Sequence, residues 1–316
     1  MNKKILSVVL LFSTAIIWGF AFVAQVSGST HVDSYTFNAL RFLLGGISLI
    51  PVVAISELKA RKHTASVSGD LSKNKGDTKK LLLASAICGL LLFMASALQQ
   101  TGAQITQSSG RSGFITSLYT VITPILYFLV FRKKVRFNVL VGAAATVVGL
   151  FMLCIKSGEG FSFGKGELLL ILCSVFFAVH ILMVDIFVKN INSLKLSMLQ
   201  FIVCGLVNLA FALIFDDINI SSILAAKWSI LYCGLLSVGV GYTLQVVAQG
   251  ISDPNFAAIV LSTESVFSAV GGVLFGIDSI EPLGYVGCLI IFCGIVFSQL
   301  DFKSSFNRTE KIKNIK

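Results

Sequence analysis

Charge is scarce in this chain of 316 residues: 13% are Asp, Glu, Lys or Arg, about half of what a soluble globular protein carries. That deficit excludes an ordinary water-soluble domain. Histidine is also rare, with three residues, of which only His180 lies inside an apolar run. The seven cysteines, at 88, 154, 173, 204, 233, 288 and 293, all fall in apolar segments and form no CxxC pair. An odd, unpaired set argues against a disulfide framework and against a thiolate metal site, and leaves soft core packing as the expected role. HExxH, a nucleophile elbow and a phosphate-binding loop are missing as well. No metal and no cofactor are expected.

Hydrophobic residues, in contrast, make up 55% of the chain. They are gathered into ten stretches, 5–26, 34–56, 81–102, 113–131, 137–155, 166–188, 196–215, 228–249, 255–276 and 283–300. Each is near the roughly 20 residues a helix needs to cross a bilayer. Backbone groups in hydrocarbon must be satisfied within the segment, so the stretches are read as helices. The start, "MNKKILSVVLLFSTA", resembles a signal peptide, but no clean small-x-small cleavage site follows and nine more apolar stretches do. It is read as the first transmembrane helix.

The net charge of +10 is unevenly distributed. Twenty Lys and Arg residues fall in the two termini and the even-numbered loops, against four in the opposite loops (Arg111, Lys156, Lys165 and Lys227). This is the positive-inside asymmetry. It places both termini in the cytoplasm and explains the basicity without nucleic acid. A polar stretch within the basic loop 57–80, "RKHTASVSGDLSKNKGDTKK", and the basic tail 302–316 read as flexible cytoplasmic segments.

The chain also repeats itself. "CGLL" begins at Cys88 and again at Cys233, Ala103-Gln104 returns as Ala248-Gln249, and the glycines of "VGAAATVVG" (142 and 149) return in "VGCLIIFCG" (287 and 294). "LRFLLGG" from Leu40 is matched by "LQFIVCG" from Leu199. The order of these matches predicts two five-helix halves, 1–158 and 159–316. Five is odd, so the second half enters the membrane from the opposite side. Inverted repeats of this kind are typical of transporters with a midplane site between the halves.

Polar residues inside the apolar stretches line up at helical spacing. The stripes are Thr14, Trp18, Phe22 and Gln25; Asn38, Arg41, Gly45 and Ser48; Ser96, Gln100 and Gln104; Thr116, Thr120, Thr123 and Tyr127, beside Tyr119; Tyr242, Gln245 and Gln249; and Glu264, Ser268 and Gly271. Each stripe alone fits interhelical hydrogen bonding. Six together predict convergence on a hydrated cavity with aromatic walls. Glu264 is about ten residues into its helix, hence about 15 Å deep and beyond the reach of snorkelling. A carboxyl there can hold a proton, a cation or a substrate ammonium, and exchange among them is a basis for coupling. Arg41 lies about 10 Å in by the same rise, where a substrate-binding or gating role competes with snorkelling. His180 reads as a hydrogen-bonded core residue or as a site residue, and Asp185 is spaced for a local ion pair with Lys189.

The chain resembles the drug/metabolite transporter superfamily, specifically the ten-helix EamA type. The matching stretches are "IIWGFAF", "ALRFLLGG", "TVITPIL", "VGAAATVVG", "LSTESVFSAVGGVLFG" and "VGCLIIFCG". The resemblance implies two inverted five-helix bundles around a central cavity, with the fifth and tenth helices at the periphery. It implies a small-metabolite substrate, often an amino acid, exported across the inner, or plasma, membrane, and carries functional weight to Glu264, Arg41 and Trp18. Three departures stand out: Ser265 where the family often has proline after the glutamate, with Thr123-Pro124 as the proline-bearing counterpart in the first half, and "FRKKVRF" and "GIDSIEP" where a Gly-Glu turn is usual. The expected partners are a small-molecule substrate, the bilayer and a proton or cation, with the protein a monomer. Two rival classes exist. "GRSG" at 110–113 fits the pattern of rhomboid-like intramembrane serine proteases, though His180 would have to serve Ser112 and is followed by "ILM" rather than glycine. The other rival is a membrane binding protein that carries no flux.

Overall fold

The computed structural model describes residues 3–65, 75–132, 134–154, 164–279 and 282–299. The described residues contain no strand. In chain order the elements are α1 (Lys3–Ser29), α2 (Ser34–Ser48), α3 (Ile50–Ala65), α4 (Lys75–Thr106), α5 (Ser109–Thr116), α6 (Tyr119–Phe131), α7 (Phe137–Cys154), α8 (Lys165–Val188) and α9 (Ser193–Phe215). They continue with α10 (Ile220–Ala225), α11 (Lys227–Leu231), a π-helix (Tyr232–Tyr242), α12 (Thr243–Gln249), α13 (Pro254–Leu261), α14 (Glu264–Leu274) and α15 (Pro282–Gln299).

Among the described residues, eight helical stretches are long and apolar enough to cross a membrane, and they fall on eight of the ten expected segments. The fifth and tenth segments fold as two shorter apolar helices, Phe137–Gly149 and Pro282–Ser298. Large apolar side chains such as Leu83, Phe137, Leu213 and Leu289 are exposed on the outside, as lipid contact requires. The basic loop 57–80 is shorter than expected, because α3 continues to Ala65 and α4 starts at Lys75. Its centre and the tail 302–316 lie outside the described residues, as does the boundary between the halves near 158.

Two membrane-length stretches are broken at mid-depth, one between α5 and α6 at Ser117–Leu118 and the other between α13 and α14 at Ser262–Thr263. Neither break contains glycine or proline. At the second, Ser262 donates its hydroxyl to Ile259 O, Thr263 to Val260 O and Ser265 to Ser262 O, the local bonding by which hydroxyl residues bend helices. The two breaks touch, with Ser117 Oγ donating to Ser262 O at 3.5 Å. The helix starts are fastened by carboxylates. Asp278 accepts from Ser108 Oγ (2.6 Å), Ser109 Oγ (2.5 Å) and Gly110 N–H (2.8 Å) at the head of α5. Asp253 caps α13 through Asn255 N–H and Phe256 N–H, with Pro254 in the first position. Asp216, beyond the end of α9, accepts from Thr36 N–H (2.6 Å) and its hydroxyl (2.9 Å). Burial pushes that carboxyl above its ordinary range, against the pull of the Thr36 bonds.

Apolar side chains give little drive for helices to associate in lipid, so close packing of small residues carries more of the load. α7 and α15 pair along their lengths. A side chain on Gly142 would meet Gly294 O at 2.7 Å, and one on Gly149 would meet Gly287 O at 2.5 Å. Gly19 of α1 is similarly pressed against Phe267 and the Glu264 carbonyl of α14. Elsewhere α4 packs on α8 and α9, α2 on α9 and the π-helix, and α1 on α14 and the π-helix.

Candidate functional site

Where α1, α2, α4, α5, α6, α8, α14 and the π-helix converge, they line a small cavity of about 20 Å³. That is room for about one water molecule. The predicted chamber is therefore present but nearly closed. Of the thirteen residues singled out from the sequence, seven line it: Trp18, Phe22, Gln25, Arg41, Tyr119, Tyr242 and Glu264.

Glu264 opens α14 immediately after the break and is 2% exposed. Tyr119, which opens α6 after the other break, donates its phenolic hydrogen to Glu264 Oε1 at 2.9 Å. Ser117 donates a longer bond to the same oxygen at 3.4 Å. The carboxyl therefore faces neither lipid nor an apolar seam. The first-half residue against Glu264 is Tyr119, one helical turn before the Thr123 expected from the proline at Pro124. The reason is that the chain turns at Ser117–Leu118, while Pro124 sits within α6 without ending it.

Arg41 is 1% exposed, and its long side chain is fully interior rather than snorkelling. Its Nε donates to Asn38 Oδ1 at 2.8 Å, and Asn38 in turn donates through Nδ2 to Ser96 O at 3.0 Å. The guanidinium carbon lies 4.9 Å from the Phe42 ring centre and 5.9 Å from that of Phe37, within cation–π range. Nη2 has no protein acceptor. A buried guanidinium N–H without a partner is costly, and an anionic group in the cavity would satisfy it.

The aromatic wall is built around Tyr242. Its ring centre is 4.4 Å from Trp18, 6.0 Å from Phe42, 5.9 Å from Phe201 and 6.4 Å from the edge-on ring of His180. The π-helix shapes this wall. Two of its carbonyls receive side chains of α1: Trp18 Nε1 donates to Ser237 O at 3.2 Å and Thr14 Oγ1 to Gly241 O at 3.1 Å. A π-helix of eleven residues is unusual, and such segments concentrate at functional sites.

The other six predicted residues do not line this cavity. Asn38 acts behind Arg41, as above. Gln100 donates to Gln25 O at 3.1 Å, so it holds α1. Thr123 is buried beyond the turn in α6, and Tyr127 lines a separate cavity at the end of the bundle. His180 bonds Gln200 Oε1 through Nε2 at 3.0 Å, the core arrangement. Gln245 lies in α12, after the π-helix, and is 1% exposed without lining the cavity. Thr116, on the same sequence stripe as Thr123, also lines it, and four lining residues lay outside the stripes: Ala21, Gln99, Phe177 and Ser237. Gln99 donates to Thr116 Oγ1 at 3.5 Å. It adjoins Gln100, whose spacing from Ser96 drew attention to the neighbouring face.

The protease geometry is not assembled. Ser112 donates to Ser108 O at 2.7 Å and shares a hydrogen bond with Thr106 Oγ1 at 3.1 Å, while His180 is engaged with Gln200. Asp185 and Lys189 form the expected local pair at 2.7 Å. No group of three metal-ligating side chains occurs among the described residues.

Among the described residues, eight membrane-length apolar helices around a cavity that holds an arginine and a glutamate define a multi-pass membrane protein. The family model described as the EamA-like transporter family matches the chain twice, over residues 5–155 and 164–300. The chain belongs to the EamA-like transporter family and is a multi-pass membrane transporter, consistent with the drug/metabolite transporter superfamily. It is similar to an "Uncharacterized transporter" of Archaeoglobus fulgidus, 25% identical over 289 residues, which span 90% of this chain and 83% of the relative. It is also similar to the "Uncharacterized transporter YoaV" of Bacillus subtilis (strain 168), 23% identical over 304 residues, or 92% and 96% of the two chains. A solved structure described as "Crystal structure of protein" shares the fold at a TM-score of 0.69 and 15% identity, covering 93% of this chain and 96% of that one.

Proposed function

We propose that the protein is a secondary transporter that moves a small metabolite, an amino acid or related compound, out of the cell by alternating access. In this reading it is a monomer of ten transmembrane helices in the plasma membrane, with both termini cytoplasmic. One observation carries it: Arg41 on α2 and Glu264 on α14, both buried within membrane-length helices, line the same small cavity between aromatic walls. A guanidinium with an unpartnered N–H suits a carboxylate, a carboxyl suits an ammonium group or a proton, and the Trp18–Tyr242 pair offers a face for an apolar or flat side chain.

Duplication supports the same reading. The interval between Tyr119 and Glu264, and between Ser117 and Ser262, is 145 residues. The same interval separates the paired glycines of the repeat, and Gly142 meets Gly294 while Gly149 meets Gly287. Exchanged contacts between equivalent positions support a two-fold related pair of inverted halves, 1–158 and 159–316. Such a pair provides two alternative packings about one site. With room for about one water, the cavity corresponds to a closed state from which rocking of the halves would open either side.

The test is reconstitution of the full chain in liposomes, with uptake of labelled amino acids followed with and without a pH gradient. Saturable flux that responds to the gradient supports coupled transport. Absence of flux for every amino acid and related metabolite offered, from protein that remains folded, would leave the non-transporting binding protein as the better account.

A further inference from the structure

A second, larger cavity of about 620 Å³ opens at one end of the bundle, between the start of α1, the α6–α7 joint, the α12–α13 joint and the end of α15. It is separate from the central chamber. Lys3, Lys4, Lys134 and Arg136 line it, against the single carboxylate of Asp253. One oxygen of that carboxylate is engaged on α13, where Oδ1 accepts from Asn255 N–H, Asn255 Nδ2 and Phe256 N–H.

Two further polar groups on the lining are buried and lack protein partners. Ser7, 1% exposed, has no acceptor for its hydroxyl. Asn255, 2% exposed, has no donor to its amide oxygen. The amide cannot be the other way round, because Nδ2 donates to Asp253 at 3.0 Å. The site thus presents cations, one hydroxyl that can donate, and one acceptor that needs a hydroxyl or N–H. Exposed apolar residues begin within about a turn of this lining: Ile5, Val9 and Phe12 at i, i+4 and i+7 on α1, and Leu289, Phe292 and Val296 on α15.

We propose that this cavity binds the headgroup of an anionic glycerophospholipid that carries a free headgroup hydroxyl. The phosphate sits among the lysines and accepts from Ser7, the headgroup hydroxyl donates to Asn255 Oδ1, and the acyl chains run along the apolar surfaces of α1 and α15. Basic pockets between transmembrane helices recognise lipid headgroups on this principle. A soluble phosphate would satisfy the cations but leave the flanking apolar surface unused. The site does not depend on what the central chamber carries.

The test uses the full chain purified in detergent, with retained lipid read by native mass spectrometry. Phosphatidylglycerol, phosphatidylmethanol (anionic, without headgroup hydroxyls) and phosphatidylcholine of equal chain length are offered in turn. The expected order of retention is phosphatidylglycerol, then phosphatidylmethanol, then phosphatidylcholine. The Lys3→Gln/Lys134→Gln variant should lose phosphatidylglycerol affinity by about tenfold or more, and Ser7→Ala by several-fold with its melting temperature unchanged. Ser7→Ala keeps the proposal open to refutation should the double variant fail to fold. Equal retention of phosphatidylcholine and phosphatidylglycerol, wild-type affinity in Ser7→Ala, or displacement of the lipid by millimolar inorganic phosphate alone would overturn the proposal. Equal retention of phosphatidylmethanol and phosphatidylglycerol would overturn the role of Asn255.

Discussion

The phenolic oxygen of Tyr119 lies 2.9 Å from Glu264 Oε1, and each of these residues is the first of a half-helix that resumes after a mid-membrane break. Each break therefore aims one polar side chain at the other. If coupling runs through the carboxyl, Glu264→Gln removes the titrating group while preserving shape and most hydrogen bonds. Gradient-driven accumulation in liposomes should vanish, and equilibrative exchange should survive in folded protein. Tyr119→Phe should reduce coupled flux on its own but add nothing in the Glu264→Gln background. Additive losses in the double variant would mean that the two groups act separately.

Arg41 makes a different prediction, because its charge is held by Asn38 and the Phe42 ring while one nitrogen stays open. Arg41→Lys keeps the charge but loses the planar fork. Its apparent substrate affinity should fall by about ten- to a hundredfold, roughly the 1.5–3 kcal/mol of one charge-assisted hydrogen bond. Arg41→Ala should weaken it further. Asn38→Ala should resemble a milder Arg41→Lys, since it frees the guanidinium without removing it. Wild-type saturation curves in all three would exclude Arg41 from binding.

The apolar runs made the helices legible because hydrocarbon imposes one length on every crossing, and the deep carboxyl of Glu264 and the stripe Trp18–Phe22–Gln25 were legible for the same reason. The local deviations were not. Neither Ser117–Leu118 nor Ser262–Thr263 contains a helix breaker, and the residue that looks like one, Pro124, lies inside α6. A stripe drawn at α-helical spacing from Thr116 to Tyr127 therefore crosses a bend. It assigned Tyr127 to the central cavity although the side chain lines the end of the bundle. The π-helix is equally silent in "YCGLLSVGVGY", whose hydropathy is ordinary for a crossing. Its changed winding brings Ser237 onto the cavity beside Tyr242, five residues on, a pairing that α-helical spacing does not suggest.

Trp18 tests whether that π-helix shapes the site. Its indole N–H is bonded to Ser237 O, a carbonyl that lines up with the cavity. Trp18→Phe keeps an aromatic face against Tyr242 but loses the bond to that carbonyl, at a cost of about 0.5–1.5 kcal/mol. The melting temperature should fall by several degrees, and the preference among substrates with aromatic and aliphatic side chains should change. Thr14→Val, which loses the neighbouring bond to Gly241 O, should lower stability in the same direction and leave that preference intact. Identical effects of the two changes on substrate choice would assign Trp18 to packing alone.

The pairing of α7 with α15 predicts stability effects remote from the chamber. Gly142 faces Gly294 O and Gly149 faces Gly287 O, each too closely for a side chain to fit without separating the backbones. Gly142→Val and Gly149→Val should each destabilise the protein by about 1–3 kcal/mol, the usual cost of overpacking, measured as a drop in melting temperature in detergent. The apparent substrate affinity of the surviving folded protein should stay near the wild-type value, because neither helix lines the cavity. Combining the two changes should cost less than their sum, since separating the helices at one crossing relieves the other. If a single valine leaves the melt unchanged, the two helices are not held at glycine contact in the membrane. The two-fold arrangement drawn from that contact would then lose its support.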